Sequence, residues 1–359
     1  MFYCLTVILS TGRTRMRQIH LAIVGLGNVG RRLLELIELK RETLRARYDR
    51  EFVIVGVCDS TGGAADAAGL QIAKILELKR AKRGLASYFP DARAETPPCD
   101  WARTVAADLL VELTPTNLKD GEPGLSVIRD ALARKIPVVT ANKGPLVLAY
   151  PELAALARAN RVPLLHSATV TGGLPTLNIG ARDLGVATIE RVEGVVNGTT
   201  NYILSRMAQG QTYTEALKHA QDIGMAEADP TLDVDGWDAA SKLVIIANAV
   251  LHRPTTLKDV TVEGIRKITP DDLRAAEEHR QTIKLIARAE RVGRNYNLSV
   301  KPTWLDKTHP LARLGAGMMG IIYETDINGT IFASIEEEDP YPTAAAVLRD
   351  LVQCATMGA

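Results

Sequence analysis

Short apolar runs alternate with amphipathic stretches along most of the chain, and this pattern predicts alternating β-strands and α-helices. Strands that alternate with helices are typical of a parallel sheet with helices on its faces. Later in the chain, two apolar runs flank Asn328-Gly329, which predicts a β-hairpin. The predicted strands are residues 19–24, 52–58, 109–113, 162–166, 189–196, 298–304, 321–327 and 330–335. The predicted helices are residues 124–134, 151–160, 202–208, 214–221, 235–250 and 340–353.

The first strand runs directly into a glycine-rich turn at residues 25–30, and a helical pattern follows. Glycines in such a turn allow a tight bend and close approach of the backbone to a pyrophosphate. The N–H groups and the dipole at the helix start favour that anion. We therefore predict a Rossmann-type domain that binds NAD or NADP. Its first cofactor contacts are expected at Gly25, Gly27, Asn28, Val29 and Gly30.

The second strand ends at Asp59-Ser60. An acidic residue at this strand end accepts hydrogen bonds from the adenosine ribose and favours NAD, so we assign Asp59 and Ser60 to the cofactor. Basic residues downstream could meet the 2′-phosphate of NADP, although a solvated helix face is the simpler interpretation. They are Lys79, Arg80, Lys82 and Arg83. The sequence leaves the choice between NAD and NADP open.

Two further polar loops follow predicted buried strands. Thr114-Pro115-Thr116 comes after residues 109–113, and Asn142-Lys143 comes after the apolar residues 137–139. Because ligands bind at the carboxyl edge of an open parallel sheet, we assign Thr114, Pro115, Thr116 and Asn142 to the cofactor side. Lys143 is predicted in the second loop and points to the same edge, although an ordinary exposed loop lysine remains an alternative.

An acidic stretch at residues 224–242 carries most of the candidate chemistry. Its ionisable residues include Glu227, Asp229, Asp233, Asp235, Asp238 and Lys242. On the predicted helix 235–250, Asp238 and Lys242 are four residues apart and share a face. Apolar residues surround them almost completely, so the pair is expected to be buried. It is either a structural ion pair or part of an active site.

Composition gives little reason to expect a nucleic-acid or membrane partner. The formal net charge is +1 for 359 residues, and 46% of the residues are hydrophobic. Four scattered cysteines without metal-ligand spacing (Cys4, Cys58, Cys99 and Cys354) favour reduced thiols in a cytoplasmic protein. We expect residues 1–15 to be an N-terminal extension before the first domain, because their apolar run is too short to span a bilayer.

The ordered motifs of the chain resemble homoserine dehydrogenase. They are VVTANK (138–143), TVTGGLP (169–175), GVVNGTTNYIL (194–204), AEADPTLDVDGWDAASK (226–242) and YPTAAAVLRDL (341–351). The resemblance implies NAD(P)-dependent interconversion of L-homoserine and L-aspartate 4-semialdehyde, in threonine and methionine biosynthesis. It also implies a homodimer, which we expect in the cytoplasm. Many family members add a C-terminal regulatory ACT domain, and we expect this chain to be a short form without it.

The same resemblance implies an α/β fold that combines the Rossmann-type domain with a mixed α/β substrate and dimerisation domain. We expect the nucleotide-binding domain at residues 16–150 and the substrate domain at residues 151–310. Residues 311–359 are expected to return to the nucleotide-binding domain.

Site roles are also implied residue by residue. Lys143, Lys242 and Asp238 match the residues around the reacting hydroxyl, with Lys242 favoured as the acid/base. Glu227, Asp233, Gly198 and Thr199 match substrate-binding positions. Alcohol oxidation needs a base for the hydroxyl proton, and burial or a second nearby cation would lower the pKa of a lysine enough to act.

One position departs from the family pattern. Ser167 stands where the family commonly has a glutamate that helps to bind a monovalent cation. The backbone carbonyls of Val170 and Gly172 remain as weak ligands, so we expect activity to depend little on Na⁺ or K⁺. The neighbouring His166 is expected to be a partly buried loop residue without a catalytic role.

Three alternative functions differ in the residues that they require. Aspartate-semialdehyde dehydrogenase would need a nucleophilic cysteine, and none follows a strand at the predicted ligand edge. A related oxidoreductase could act on another small amino-alcohol or semialdehyde. A catalytically silent NAD-binding scaffold would have no need of two lysines and a carboxylate for proton transfer.

Overall fold

Two six-stranded sheets organise the part of the chain that the structure describes. This structure is a computed structural model, which describes residues 16–89 and 97–357. The predicted N-terminal extension, residues 1–15, lies outside the described residues.

The first sheet has the order β3-β2-β1-β4-β5-β6. Its strands are β1 (Arg17–Val24), β2 (Arg50–Asp59), β3 (Gly62–Ala65), β4 (Leu109–Glu112), β5 (Val138–Thr140) and β6 (Leu164–Leu165). All neighbouring pairs are parallel except β2 with β3. The order reverses beside β1, so a crevice opens between the carboxyl ends of β1 and β4, which is where open α/β sheets bind ligands. This confirms the predicted nucleotide-binding fold.

Helices cover both faces of the first sheet. They are α1 (Asn28–Leu39), α2 (Arg41–Tyr48), α3 (Ile72–Arg80), α4 (Pro98–Thr104), α5 (Gly124–Ala133) and α6 (Lys143–Asn160). α1 presents Leu33, Leu34 and Ile37 to a buried core that also includes Val347 and Leu351 from near the end of the chain. The first and last parts of the chain therefore share one core.

The second sheet has the order β12-β11-β7-β9-β10-β8. Its strands are β7 (Ile189–Val195), β8 (Val260–Val262), β9 (Gln281–Val292), β10 (Asn295–Asp306), β11 (Met319–Thr325) and β12 (Gly329–Ile335). Only β8 with β10 is parallel among these pairs. The Asn328-Gly329 hairpin is confirmed, since β11 and β12 pair across it.

Helices of the second half pack mainly on one face of this sheet. They are α7 (Thr176–Asn178), α8 (Gly198–Ala208), α9 (Tyr213–Asp222), α10 (Thr231–Val234), α11 (Trp237–Ala249), α12 (Pro270–Glu278) and α13 (Tyr341–Thr356). α13 is the exception, because it crosses back to pack on α1.

Three sequence-based boundaries were wrong. β11 and β12 belong to the second sheet, so only α13 of the predicted segment 311–359 returns to the first half. β6 extends the first sheet beyond the expected boundary at residue 150. Lys143 does not lie in a loop but begins α6, because Asn142 caps that helix and accepts a hydrogen bond from Gly144 N–H.

The helix predicted at 235–250 is confirmed with a slightly later start. Gly236 has a φ of +86°, a left-handed conformation that breaks the run before Trp237. None of the helices within residues 16–89 and 97–357 is both long enough and apolar enough to cross a bilayer.

Candidate active site

The glycine turn between β1 and α1 has the geometry that a pyrophosphate needs. Gly25 has a φ of +100°, and a side chain there would lie 2.4 Å from the carbonyl carbon of Leu113. A side chain on Gly30 would likewise lie 2.4 Å from the carbonyl oxygen of Gly25, so α1 can pack tightly on the turn only with glycine there. A Cβ on Gly27 would meet no described atom within 4 Å. The backbone at Gly27, Asn28 and Val29 therefore borders open space at the start of α1.

Asp59 at the end of β2 is held by two neighbours. Its Oδ1 accepts hydrogen bonds from the N–H of Thr61 at 2.8 Å and from the Thr61 hydroxyl at 2.5 Å. Its Oδ2 lies 2.5 Å from Nζ of Lys79. Both side chains of this ion pair are mostly buried, so the interpretation of Lys79 as a solvated helix residue was wrong. Ser60 is exposed beside the pair.

Glu112, at the end of β4, is a fully buried carboxyl that the sequence did not reveal as a site residue. It accepts hydrogen bonds from the N–H and hydroxyl of Thr114, from the Thr140 hydroxyl at 2.9 Å and from the Asn142 amide at 3.4 Å. Burial raises its pKa, while these hydrogen bonds oppose that shift. Glu112 thus ties the loop after β4 to the cap of α6. Pro115 and Thr116 extend that loop into solvent.

Asp238 brings the two predicted lysines together. Lys143 Nζ lies 2.6 Å from Asp238 Oδ1, and Lys242 Nζ lies 2.7 Å from Asp238 Oδ2. Lys242 also donates to the Val196 carbonyl at 2.6 Å. The three charged groups come from α6 and α11 and are largely buried. The predicted cluster is therefore present in the structure.

The charge states in the cluster differ from the sequence-based expectation. Burial opposes ionisation of Asp238, but the charges of Lys143 and Lys242 lower its pKa below the ordinary value. Burial would also lower the pKa of Lys143, yet the attraction of Asp238 outweighs it and raises that pKa. Because a carboxylate separates the two ammonium groups, Lys143 is not depressed toward neutrality as expected.

Asn197 is a second residue that the sequence did not single out for the charge cluster. It caps α8 by accepting a hydrogen bond from Thr200 N–H at 2.8 Å. Its amide donates to Asp238 at 2.8 Å and to Asp233 at 2.6 Å. Burial and the charge of Asp238 raise the pKa of Asp233, while Asn197 opposes that rise. One amide therefore fixes both carboxylates of the pocket.

The remaining substrate-side residues lie around this cluster. Glu227 is exposed, and its charge helps to raise the pKa of Lys143. Gly198 begins α8, and a side chain there would lie 2.9 Å from the carbonyl oxygen of Gly317. The Thr199 hydroxyl donates to the Met225 carbonyl at 3.1 Å. Glu227 therefore lies at the exposed rim and Gly198 is half-buried, whereas Thr199 and Asp238 are both buried.

Asp229 and Asp235 do not join the cluster, although they belong to the same acidic stretch. Asp229 accepts from the N–H of Thr231, and Asp235 pairs with Arg266 on the surface. Their role is local, in the turn and helix that precede α11.

The residues around Ser167 do not fit the cation site implied by the family pattern. Val170 O already accepts a hydrogen bond from the Thr171 hydroxyl at 2.7 Å. Gly172 packs against the Glu337 carboxylate, while Ser167 directs its own polar groups to Asp350. Among the described residues, no group of three or more His, Cys, Asp or Glu side chains could hold a metal.

The glycine turn, the sheet crevice and the lysine–carboxylate cluster define an NAD(P)-dependent oxidoreductase. Comparison with known families specifies which one. The family model described as homoserine dehydrogenase, NAD binding domain, matches residues 25–167, and the homoserine dehydrogenase model matches residues 175–352. The chain therefore belongs to the homoserine dehydrogenase family.

Individual relatives agree with this assignment. A homoserine dehydrogenase of Methanocaldococcus jannaschii is 38% identical over 331 residues, which cover 92% of this chain and 96% of the relative. An NAD(+)-dependent homoserine dehydrogenase of Pseudomonas canavaninivorans is 35% identical over 339 residues, covering 94% and 96%. A hyperthermophilic archaeal homoserine dehydrogenase mutant, solved in complex with NADPH, is 26% identical with a TM-score of 0.81, covering 94% of this chain and 98% of that one. NAD or NADP is accordingly the cofactor.

Proposed function

We propose that the chain interconverts L-homoserine and L-aspartate 4-semialdehyde through Lys143, Asp238 and Lys242. The observation that carries this proposal is the pair of lysines on the two oxygens of one buried carboxylate. Lys143 begins α6 at the carboxyl edge of the first sheet, and Lys242 lies on α11 of the second half. A substrate at this junction would face both the cofactor edge and the proton-transfer groups.

In the oxidative direction, the substrate hydroxyl loses a proton while its carbon transfers a hydride to the nicotinamide of NAD(P)⁺. The products are the semialdehyde, NAD(P)H and one proton. Lys242 is the proposed acid/base, because Asp238 and the Val196 carbonyl engage two of the three N–H donors of its ammonium group. The third donor remains for the substrate oxygen. Lys143 would polarise that oxygen and stabilise the developing alkoxide in the reverse reaction.

We propose that the carboxylates around the two lysines orient the substrate. Asp233 and Glu227 would attract the α-ammonium group of homoserine, and both act electrostatically on Lys143. The start of α8 at Gly198 and Thr199 offers N–H groups for the substrate carboxylate. Opposite charges at the two sides of the pocket would fix the amino acid in one orientation.

NAD is the proposed preference over NADP. The carboxylate of Asp59, at the end of β2, would accept a hydrogen bond from a ribose hydroxyl and would repel a 2′-phosphate. Lys79 is the nearest cation, but it is already paired with Asp59. A 2′-phosphate would have to displace that carboxylate from Lys79.

The decisive measurement is the set of initial rates with L-homoserine against NAD⁺ and NADP⁺, with and without added salt. We expect the enzyme to oxidise L-homoserine with a nicotinamide cofactor, and we expect kcat/KM to be higher with NAD⁺ than with NADP⁺. Binding of NAD⁺ without turnover would instead favour a silent scaffold. Turnover only with another amino-alcohol would favour the related oxidoreductase.

Aspartate-semialdehyde dehydrogenase chemistry is disfavoured by the described thiols. Burial raises the pKa of Cys58 to about 12 and that of Cys354 to about 12. Cys99 also has a raised pKa because of burial. Since the thiolate is the nucleophilic form, these thiols are poor nucleophiles near neutral pH.

We also propose that the chain is a homodimer that works in the cytoplasm, at the step that leads to threonine and methionine. α8, α11 and α12 contact β9 of the second sheet. On the opposite face lies a small cluster around Ile286 and Ile322, and β12 places Phe332 directly across from Ile322. Phe332 is 41% exposed. A second copy could cover this face and complete its core.

Phe332→Asp should convert the proposed dimer to a monomer, because it places a charge in an apolar contact. Light scattering during size-exclusion chromatography would measure the mass. The matched control is Leu39→Asp, which places the same charge at another exposed apolar residue, at the end of α1 in the first half of the chain. A wild-type monomer, or an F332D dimer as stable as wild type, would contradict the proposed interface.

A further inference from the structure

The turn at residues 171–173 has a backbone that needs outside support. Thr171 has a φ of +53° and Gly172 a φ of +55°, so two consecutive residues are left-handed. Thr171 is β-branched and fully buried, and such residues rarely adopt this conformation. Conformations of this kind persist only where the surroundings hold them, and they concentrate at functional sites.

Two side chains of opposite charge hydrogen-bond to the backbone of the next residue, Gly173: one to its N–H and one to its carbonyl oxygen. The Glu337 carboxylate accepts the Gly173 N–H at 2.5 Å, and its oxygens lie where a side chain on Gly172 would be. The Arg349 guanidinium donates to the Gly173 carbonyl at 3.3 Å. Glu337 comes from the segment between β12 and α13, and Arg349 comes from α13 itself. The segment after β12 and the helix α13 therefore hold the turn in place through Glu337 and Arg349.

Arg349 also reaches the position where the family pattern has a cation-binding glutamate. Its second Nη donates to the Ser167 hydroxyl oxygen at 3.2 Å. Ser167 in turn gives its N–H and its hydroxyl proton to Asp350, at 2.8 and 2.6 Å. Asp350 is 1% exposed. Burial raises the pKa of Asp350, whereas Ser167 and the charge of Arg349 oppose that rise.

We propose that the Arg349 guanidinium is a built-in cation that replaces a bound monovalent metal ion at this turn. It is a positioning residue: it joins Ser167 to Gly173 with one delocalised positive charge. A guanidinium can make both bonds at once because its donors form a rigid fork. The same charge would repel a metal ion from the Ser167 side, and the Val170 carbonyl is already engaged by Thr171.

The turn can influence catalysis through Glu337. The charge of Lys242 lowers the pKa of Glu337, while burial raises it, so the two groups lie within electrostatic reach. If Arg349 releases Gly173, the Glu337 carboxylate loses its fixed hydrogen-bond partner and can shift relative to Lys242, on which it acts electrostatically. Removal of Arg349 should therefore lower kcat more than it raises KM for homoserine.

The test compares wild type, Arg349→Ala and Arg349→Lys in NaCl, KCl and choline chloride at equal ionic strength. Wild-type Tm and kcat should be the same in all three salts. R349A should lose about tenfold in kcat, the effect of one lost charged hydrogen bond, together with a lower Tm. Na⁺ or K⁺, or low concentrations of guanidinium, should restore part of both losses, and choline should not. R349K keeps the positive charge but not the forked donors of the guanidinium. Its kcat and Tm should therefore fall less than those of R349A, and neither should depend on Na⁺ or K⁺.

Arg182→Ala is the matched control, because Arg182 acts on Arg349 electrostatically but pairs with Asp183 at the surface. It should behave like wild type in every salt. A wild-type requirement for Na⁺ or K⁺, wild-type properties in R349A, or equal rescue by choline would overturn the proposal. If R349A does not fold, Na⁺ activation of R349K would overturn it. The kcat measurement rests on the proposed homoserine activity, whereas the Tm measurement does not. Failure of the proposed function can therefore be told apart from failure of the proposed role of Arg349.

Discussion

Asp238 is the residue on which the proposed chemistry depends, because its two carboxylate oxygens pair with both lysines. Its carboxylate raises the pKa of Lys143, so the pocket holds an ammonium group that can polarise a carbonyl oxygen while Lys242 donates the proton. This state is suited to reduction of the semialdehyde. Oxidation needs a neutral amine and should therefore become faster as the pH rises.

Lys242→Ala and Lys143→Ala should each reduce turnover by at least about a hundredfold, the usual scale for a lost acid–base group. Steady-state rates with homoserine and with the semialdehyde measure this loss. Lys258→Ala, in a surface turn, is a control that should retain full activity. Near-normal kinetics in both site variants would rule out lysine-assisted proton transfer.

Asp238→Asn should move the ascending limb of the oxidation profile to lower pH while lowering the maximum rate. Without the carboxylate, Lys143 loses the strongest charge that raises its pKa, so burial lowers that pKa against the weaker attraction of Asp233 and Glu227. The pH dependence of kcat would show the shift. An unchanged limb would mean that Lys143 and Lys242 do not determine it.

At the scale of elements, the sequence predicted the parts of the site that lie within one helix or turn. It did not predict the buried contacts between residues that are far apart in the sequence. The glycine turn and the α11 pair Asp238–Lys242 follow from local spacing. Glu112 was missed because it ends an apolar strand, where its partners Thr140 and Asn142 come from a distant part of the sequence. The start of α6 was also missed, since Pro145 resembles a loop residue although proline is tolerated in the first turn of a helix.

Glu112→Gln should lower kcat about tenfold, because an amide cannot accept all four hydrogen bonds and the cap of α6 loosens. Asn142→Ala should do the same by removing the cap. If Glu112 acts through Asn142, the double variant should be no slower than the slower single variant. Glu122→Gln, which also loses contacts to a helix residue, is the control. Additive losses would assign Glu112 a separate role.

At the scale of the whole molecule, the pH range of stability is set partly by His166. Burial lowers its pKa from 6.5 to about 4, so the folded state holds it neutral where the unfolded chain would bind a proton. Stability from this group is complete above pH 6.5 and is lost as the pH falls toward 4. The largest possible loss is about 3 kcal/mol.

His166→Asn should therefore flatten the fall in Tm between pH 7 and pH 5, even though its Tm at pH 7 is lower. Differential scanning calorimetry across that range measures the slope. His279→Asn, at an exposed helix end, should leave the slope as in wild type. An identical slope in H166N would show that other groups titrate in this interval.

The return of α13 to α1 has a consequence for how the enzyme is made. A ribosome releases the strands of the cofactor half early, but the helix that covers part of their core, with Val347 and Leu351, emerges only after the second sheet has been made. Until then Leu33 and Leu34 lack part of their apolar cover, so nascent chains should bind NAD weakly and depend on chaperones. Synthesis of α13 would then complete the cofactor-side core and support the turn at residues 171–173 in a single event.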